Sequence, residues 1–383
     1  LFLDRLLECR SFGDTYMNLS QLANPRILEQ PVYQPGKPIE QVAREYGFKP
    51  SDVCKLASNE NPWGCSPLAK QAGKEALDSI FLYPEGSGQE LRENLGQYHG
   101  LDSNQFILGN GSNEIIELLA HVFLLPNDEV VIGEHAFVVY KLVTMLMGGK
   151  SVETVMPNLT HDLDAMRDAI SERTKLVFLP SPNNPTGTAN SVDEISNFIR
   201  SLPQHVIFCL DEAYVEYLEQ PFDLRPFIKE GRKAIGLRTF SKIHGLAGLR
   251  IGYGYASAEL IGLLQQARQP FNANSVAQAA AQAALKDEGW VEQCRRRNSA
   301  GLVQVSDGCA KLGLEFVESK ANFLLVRVGN GRKIFEELQA RGIVTRPMPP
   351  TLDEYLRISI GTEEQNDRFL QTLGNVMRPN RKN

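Results

Sequence analysis

Between residues 105 and 255 short apolar runs recur along the chain: Gln105–Gly109, Glu129–Gly133, Lys175–Pro180, Val206–Leu210, Ala234–Leu237 and Leu249–Tyr255. Each is nearly continuous rather than alternating, the pattern of strands covered on both faces in a parallel sheet. The stretches between them are amphipathic, and Ile115, Ile116, Leu118, Leu119, Val122 and Phe123 mark one helical face. The two periods together predict an α/β layer architecture, a large domain with a mostly parallel sheet flanked by helices. From about Asn272 the texture changes to an Ala/Gln-rich helical stretch through Ala284, followed by a highly charged segment, Asp287–Cys309. Beyond it Asn322–Val328 and Tyr355–Ile360 read as strands, with Ile343–Thr345 a weaker one, and together they predict a smaller α+β unit. The N-terminal segment is punctuated by Pro25, Pro31, Pro35, Pro38, Pro50 and Pro62. It is too poor in long periodic stretches to fold alone and is expected to pack against another part of the chain.

The 383 residues would fill two or three folding units at roughly 150 residues each. Lys and Arg total 40 against 46 Asp and Glu, a net charge of −6, and the two signs are interspersed. No concentrated positive face is available for nucleic acid or for an anionic membrane surface. No apolar run approaches the ~20 residues that would span a bilayer. Asp4, Arg5, Glu8, Arg10 and Asp14 interrupt the start of the chain where a secretion signal would need an apolar core. Residues 1–16, ahead of Met17, read as a leader or an expression remnant, or equally as an extra N-terminal helix. Cysteines stand at 9, 54, 65, 209, 294 and 309 with no Cys-x-x-Cys pair and no zinc-type spacing. A reduced, cytoplasmic setting fits them, and no metal site is expected.

The chemistry concentrates in Arg238-Thr-Phe-Ser-Lys-Ile-His-Gly-Leu-Ala-Gly-Leu-Arg250, which follows an apolar strand. A lysine on its own there reads as a solvated lysine. Here Ser241 and Arg250 bracket Lys242 with a hydroxyl and a fixed cation suited to a phosphate dianion, and Gly245 and Gly248 let the backbone turn closely around a ligand. Asp211 sits at the C-terminal end of a buried strand, in Val206-Ile-Phe-Cys-Leu-Asp-Glu-Ala-Tyr214. Ligands lie at such ends in open α/β sheets, although a helix-capping aspartate would look the same. Gly109-Asn-Gly-Ser-Asn113 feeds a helix N-terminus, an anion site on physical grounds, but a common one. Ser181-Pro-Asn-Asn184-Pro-Thr-Gly187 is accounted for as a turn. Phe137, in Glu134-His-Ala-Phe-Val-Val-Tyr140, could equally be a core residue.

Taken together these motifs resemble fold-type I aminotransferases, which depend on pyridoxal 5′-phosphate. Ser241-Lys242-x-x-Gly245 with Arg250 is similar to their Schiff-base lysine signature. The resemblance implies that Lys242 is the catalytic lysine and that Asp211 pairs with the cofactor's ring nitrogen. It further implies that Tyr214 and Asn184 hydrogen-bond its 3-hydroxyl, that Phe137 stacks on the ring, and that Ser112, Asn113, Ser241 and Arg250 hold its phosphate. Many relatives carry Tyr where this chain has Phe137. The segments Pro31-Val-Tyr33-Gln-Pro-Gly-Lys-Pro38, Leu56-Ala-Ser-Asn-Glu-Asn-Pro62 and Tyr83-Pro84 resemble the histidinol-phosphate aminotransferase subfamily. That likeness implies Tyr33 as a substrate contact and Tyr83 as a residue reaching the neighbouring subunit's phosphate, hence a homodimer with shared active sites. Arg357, in Leu356-Arg-Ile-Ser-Ile-Gly-Thr362, would take the substrate anion, with Arg346 as a second contact. From the residues alone Arg357 is also explained as a surface ion pair.

The expected architecture is then a large pyridoxal-phosphate-binding domain at 63–285, with 17–62 and 286–383, both chain ends, forming the small α+β domain. The expected reaction is ping-pong transfer of an amino group between L-histidinol phosphate and 2-oxoglutarate, a step of histidine biosynthesis. An aromatic amino-acid aminotransferase shares nearly all the motifs, and a threonine-phosphate decarboxylase shares the fold. An aminotransferase-like transcription regulator is disfavoured, because no basic helix-turn-helix unit precedes the motifs.

Overall fold

A computed structural model describes residues 18–32 and 36–378. Tyr33 and residues 1–16 lie outside the described residues. Residues 18–32 belong to one compact unit and 36–378 to another. In the first, Asn18 and Gln21 form a capping box on the short helix Leu19–Leu22, and Asn24 caps Pro25–Glu29.

The larger unit contains thirteen strands among its described residues. They are β1 (Cys54–Lys55), β2 (Phe106–Gly109), β3 (Glu129–Gly133), β4 (Lys150–Thr154), β5 (Thr174–Pro180), β6 (Ile207–Asp211), β7 (Ala234–Thr239), β8 (Gly252–Ala256), β9 (Phe316–Val317), β10 (Phe323–Arg327), β11 (Ile343–Val344), β12 (Arg346–Pro347) and β13 (Tyr355–Ser359). The seven-stranded sheet has the order β2-β8-β7-β6-β5-β3-β4. Its pairs from β7 to β4 are parallel, whereas β8 runs antiparallel to both β7 and β2.

The continuous apolar runs have the cause expected of them, because both faces of this sheet are buried. Val177, Leu179, Phe208 and Leu210 enter one core with Ile195, Phe198 and Phe227. Leu176, Phe178, Ile207 and Cys209 enter the other with Ile115, Ile116, Leu119 and Tyr140. β4 was not anticipated; its sequence, Lys-Ser-Val-Glu-Thr, is polar and half exposed at the sheet edge.

A second sheet, antiparallel, has the order β12-β13-β10-β9, and β1 pairs in parallel with β11. Through that pairing Cys54 and Lys55 join Ile343 and Val344, so residues 54–55 of the Pro-punctuated segment pack against the C-terminal part. The core there combines Cys54 and Leu56 with Leu324, Val326, Ile343, Leu356 and Ile358.

Candidate active site

The period of two along a strand divides the end of β6 between two environments. Ile207, Cys209 and Asp211 share one face; Phe208, Leu210 and then Glu212 share the other. Asp211 is buried, receiving the Tyr140 hydroxyl on Oδ2 at 2.6 Å and the Ala213 N–H on Oδ1 at 3.1 Å. Burial raises its carboxyl to about 6, and those two hydrogen bonds pull in the opposite direction. No cation lies within ion-pair distance of it among the described residues. Tyr140 is itself fixed, its ring stacked on Phe178 at 4.4 Å and 7°.

On the opposite face Glu212 is fully engaged. Arg238 Nε donates to its Oε2 at 3.0 Å, and the Tyr255 hydroxyl donates to the same oxygen at 2.6 Å. Room for the Tyr255 ring comes from Gly236 on the neighbouring strand, where an added Cβ would lie 2.3 Å from the ring.

The chain leaving β7 turns at Ser241, whose N–H bonds Thr239 Oγ1 at 3.1 Å. This turn presents Lys242: Nζ donates to the Ser58 carbonyl at 3.3 Å and lies 5.4 Å from the centroid of the Tyr214 ring. Arg250, with a left-handed φ of 55°, brings its guanidinium back to Ser241 Oγ at 3.3 Å and to the Ala247 carbonyl at 3.2 Å. The same guanidinium packs over Gly111, where a Cβ would stand 2.6 Å from Nη2. Gly111 precedes the helix Ser112–Phe123, which has no side-chain cap, so its first N–H groups remain available to a ligand. Two anion-binding devices meet here: the Arg250 guanidinium with the Ser241 hydroxyl beside it, and the N-terminus of the helix that begins at Ser112. Asn113 is the second residue of that helix.

Arg357 donates to Asn184 Oδ1 at 2.5 Å and to the Ala57 carbonyl at 2.7 Å, with its guanidinium 5.3 Å from the Phe323 ring. Arg346 is its direct cross-strand partner. Asn59, on the segment after β1, donates from Nδ2 to the Tyr214 hydroxyl at 3.0 Å and is bonded to Ser359 of β13.

Of the residues singled out in the sequence, Lys242, Tyr214, Asn184, Ser241, Arg250, Arg346 and Arg357 join these contacts, Ser112 begins the helix behind Gly111, and Asp211 closes the end of β6. Phe137 caps the helix Val138–Met147, its half-buried ring edge-on to Tyr140 at 5.7 Å. Tyr83 is instead 82% exposed, stacked on Phe271 at 4.7 Å. The sequence reading gave no role to Tyr140, although it lies three residues after Phe137 in the same segment. It also gave no role to Asn59, Ser359 or the Glu212–Arg238 pair.

The residues present fit the phosphorylated cofactor that the resemblance implies. A phosphate has an uncapped helix and Arg250, and a ring cation has Asp211, a buried carboxylate with no ion-pair partner among the described residues. Among the described residues no cluster could hold a metal ion.

Residues 51–373 match the family described as Aminotransferase class I and II. The chain is 43% identical over 365 residues to a histidinol-phosphate aminotransferase of Akkermansia muciniphila, covering 94% of this chain and 100% of that one. It is 44% identical to histidinol-phosphate aminotransferase 2 of Nitrosospira multiformis, covering 93% and 92%. Among solved structures, the histidinol-phosphate aminotransferase of Sinorhizobium meliloti in complex with pyridoxal-5′-phosphate superposes with a TM-score of 0.85 at 24% identity, covering 93% of this chain and 97% of that one. A Thermus thermophilus aspartate aminotransferase double mutant gives 0.78 at 23%, covering 92% and 99%. At these identities the two structures speak for the fold alone.

Proposed function

The chain belongs to the aminotransferase class I and II family, and from that premise we propose that it is a pyridoxal-phosphate-dependent histidinol-phosphate transaminase. It moves the amino group of L-histidinol phosphate to 2-oxoglutarate, giving imidazole-acetol phosphate and L-glutamate in histidine biosynthesis. The observation that carries the chemistry is Lys242, poised between the Ser58 carbonyl and the Tyr214 ring beside the Ser241–Arg250 anion cradle. The curated relatives carry the choice of substrate.

Pyridoxal phosphate, when bound, supplies an electron sink conjugated to the substrate's amino-bearing carbon. The protein's own groups do the rest. Lys242 Nζ would anchor the cofactor, then take the proton from the substrate's amino-bearing carbon as general base and, as general acid, deliver it to the cofactor carbon bonded to that nitrogen. Asp211, ionised against the ring nitrogen, keeps that nitrogen protonated. Ser112, Asn113, Ser241, Arg250 and the helix N-terminus bind the phosphate. Tyr214 and Asn184 orient the ring hydroxyl, and Phe137 covers the ring face. Arg357 and Arg346 receive the anionic end of either substrate, the phosphate of histidinol phosphate or a carboxylate of glutamate, and Tyr33 is carried as a further substrate contact on the resemblance alone.

We assign 63–285 to the cofactor-binding domain and 17–62 with 286–383 to the small one. The assembly we infer is a homodimer with shared sites, supported by the exposed apolar residues Leu77, Ile80, Phe81, Leu82 and Tyr83; Tyr83 then reaches the partner's phosphate. A cytoplasmic location is supported by free thiols at Cys54, Cys65, Cys209, Cys294 and Cys309. No described helix is long and apolar enough to cross a membrane.

The test is a specificity panel: kcat/KM for histidinol phosphate against phenylalanine, tyrosine and threonine phosphate, with carbon dioxide monitored. Histidinol phosphate should lead, and preference for phenylalanine or release of carbon dioxide would replace this reading with one of its rivals. Lys242→Ala should lose both turnover and the visible absorption of the parent holoenzyme.

A further inference from the structure

We propose that Ser359 and Asn59 form a hydrogen-bond relay that fixes the direction of the Tyr214 hydrogen bond and reserves the Tyr214 proton for the cofactor's ring hydroxyl. The inference rests on the cofactor role given to Tyr214 above. It begins from a backbone oddity. Asn59 is 1% exposed and adopts a φ of 54°, a left-handed conformation uncommon outside glycine that must be held by its surroundings. Two bonds hold it: its N–H donates to Ser359 Oγ at 2.8 Å, and its carbonyl accepts from Asn322 Nδ2 at 3.0 Å.

The side chain is oriented by the same serine. Ser359 Oγ already accepts the Asn59 N–H, and it sends its own proton to Asn59 Oδ1 at 2.9 Å. With the amide oxygen committed to Ser359, the Nδ2 end faces Tyr214 and donates to its hydroxyl at 3.0 Å. A tyrosine hydroxyl has one proton and can also accept. Because Asn59 donates, the Tyr214 oxygen acts as acceptor toward it and keeps its proton for another acceptor. An aspartate at position 59 would reverse this polarity and take that proton.

The relay also ties the ring-hydroxyl partners to the substrate end of the site. Ser359 and Arg357 lie on the same face of β13, two residues apart. Ser359 reaches Tyr214 through Asn59, while Arg357 donates directly to Asn184. Both residues assigned to the ring hydroxyl are therefore anchored on one strand. Asn59 and Ser359 are positioning residues, since they act through Tyr214.

The test is a pH titration of the holoenzyme's visible absorption, because a donor on the ring hydroxyl lowers the midpoint and its loss raises it. Asn59→Gly removes the amide and accepts the left-handed backbone without strain. Tyr214→Phe should raise the midpoint by about one unit, a factor of about ten. Asn59→Gly should raise it by about half a unit, a factor of about three, and should add nothing on the Tyr214→Phe background. Ser359→Ala, which leaves the backbone of position 59 unmutated, should shift it the same way by less. A purely structural role would lower the melting temperature and leave the midpoint in place, which overturns the relay. An Asn59→Gly shift that persists without the Tyr214 hydroxyl overturns it as well. If Tyr214→Phe itself leaves the midpoint unmoved, the cofactor role of Tyr214 falls and the relay with it; if only the Asn59 and Ser359 variants are silent, the relay alone falls.

Discussion

Asp211 and Glu212 are neighbours in sequence, both buried at the end of one strand, and they are treated in opposite ways. Glu212 has Arg238 and the Tyr255 hydroxyl on the same oxygen, so its charge is answered within the protein. Asp211 has one hydroxyl and one amide N–H, and burial holds its carboxyl up near 6. A carboxylate paired internally is finished as soon as the chain folds. One buried with no ion-pair partner, its charge only partly offset by the more distant Lys242, is held at a cost that a cation arriving beside it would lower, which is the electrostatic signature of a binding group.

Experiments on the two carboxylates can separate or merge these roles. Asp211→Asn should reduce kcat/KM by at least about a thousandfold, on the order of 4 kcal/mol, with the protein still folded; near-parental kinetics would erase the distinction. Glu212→Gln should do the reverse, chiefly lowering stability by about 3–5 kcal/mol as Arg238 is left buried and unpaired, measured by urea unfolding. Glu212→Gln combined with Arg238→Met should recover part of that loss, because the stranded charge is gone. In the cofactor-free protein Asp211→Asn should be more stable than the parent at pH 8, by on the order of 3 kcal/mol. The sign follows from the raised carboxyl: ionising it penalises the folded state, fully above about 6, and the penalty fades as pH falls toward 3.8, where the unfolded chain protonates too. The gap between variant and parent should shrink over that window. Smallest, Tyr140→Phe removes a donor that favours ionised Asp211, at about 1 kcal/mol. The pH below which cofactor affinity declines should move upward.

The contrast also marks where reading the sequence stopped. Strands buried on both faces were legible because burial writes a continuous apolar run, as in β3, β5 and β6. β4 escaped because an edge strand needs no such run, and β9 and β12, at two residues each, are too short to carry any pattern. That β8 would turn back antiparallel could not be read either, since direction depends on how the Lys242 segment folds between it and β7 rather than on the composition of the strand. In the site, Lys242, Asp211, Asn184 and Arg250 were legible because each belongs to a local motif whose spacing survives without the fold. Tyr140, Asn59 and Ser359 act across contacts between segments far apart in the chain, which no local spacing encodes. Glu212 stood inside a recognised motif, yet its partner Arg238 belongs to the next strand of the sheet and became visible only when β6 and β7 were paired.

The pairing of β1 with β11 has a consequence for how the protein is made. Cys54 and Lys55 emerge early during synthesis and cannot form their ladder until Ile343 and Val344 follow. Until then Leu56 and Ala57 lack their covering neighbours, an apolar surface of the kind that chaperones hold on a growing chain. Arg357, later still, supplies the contacts to Ala57 and Asn184. The strands of the seven-stranded sheet are thus all synthesised before β13, the strand that carries Arg357 and Ser359, so the contacts gathered on β13 are the last to form.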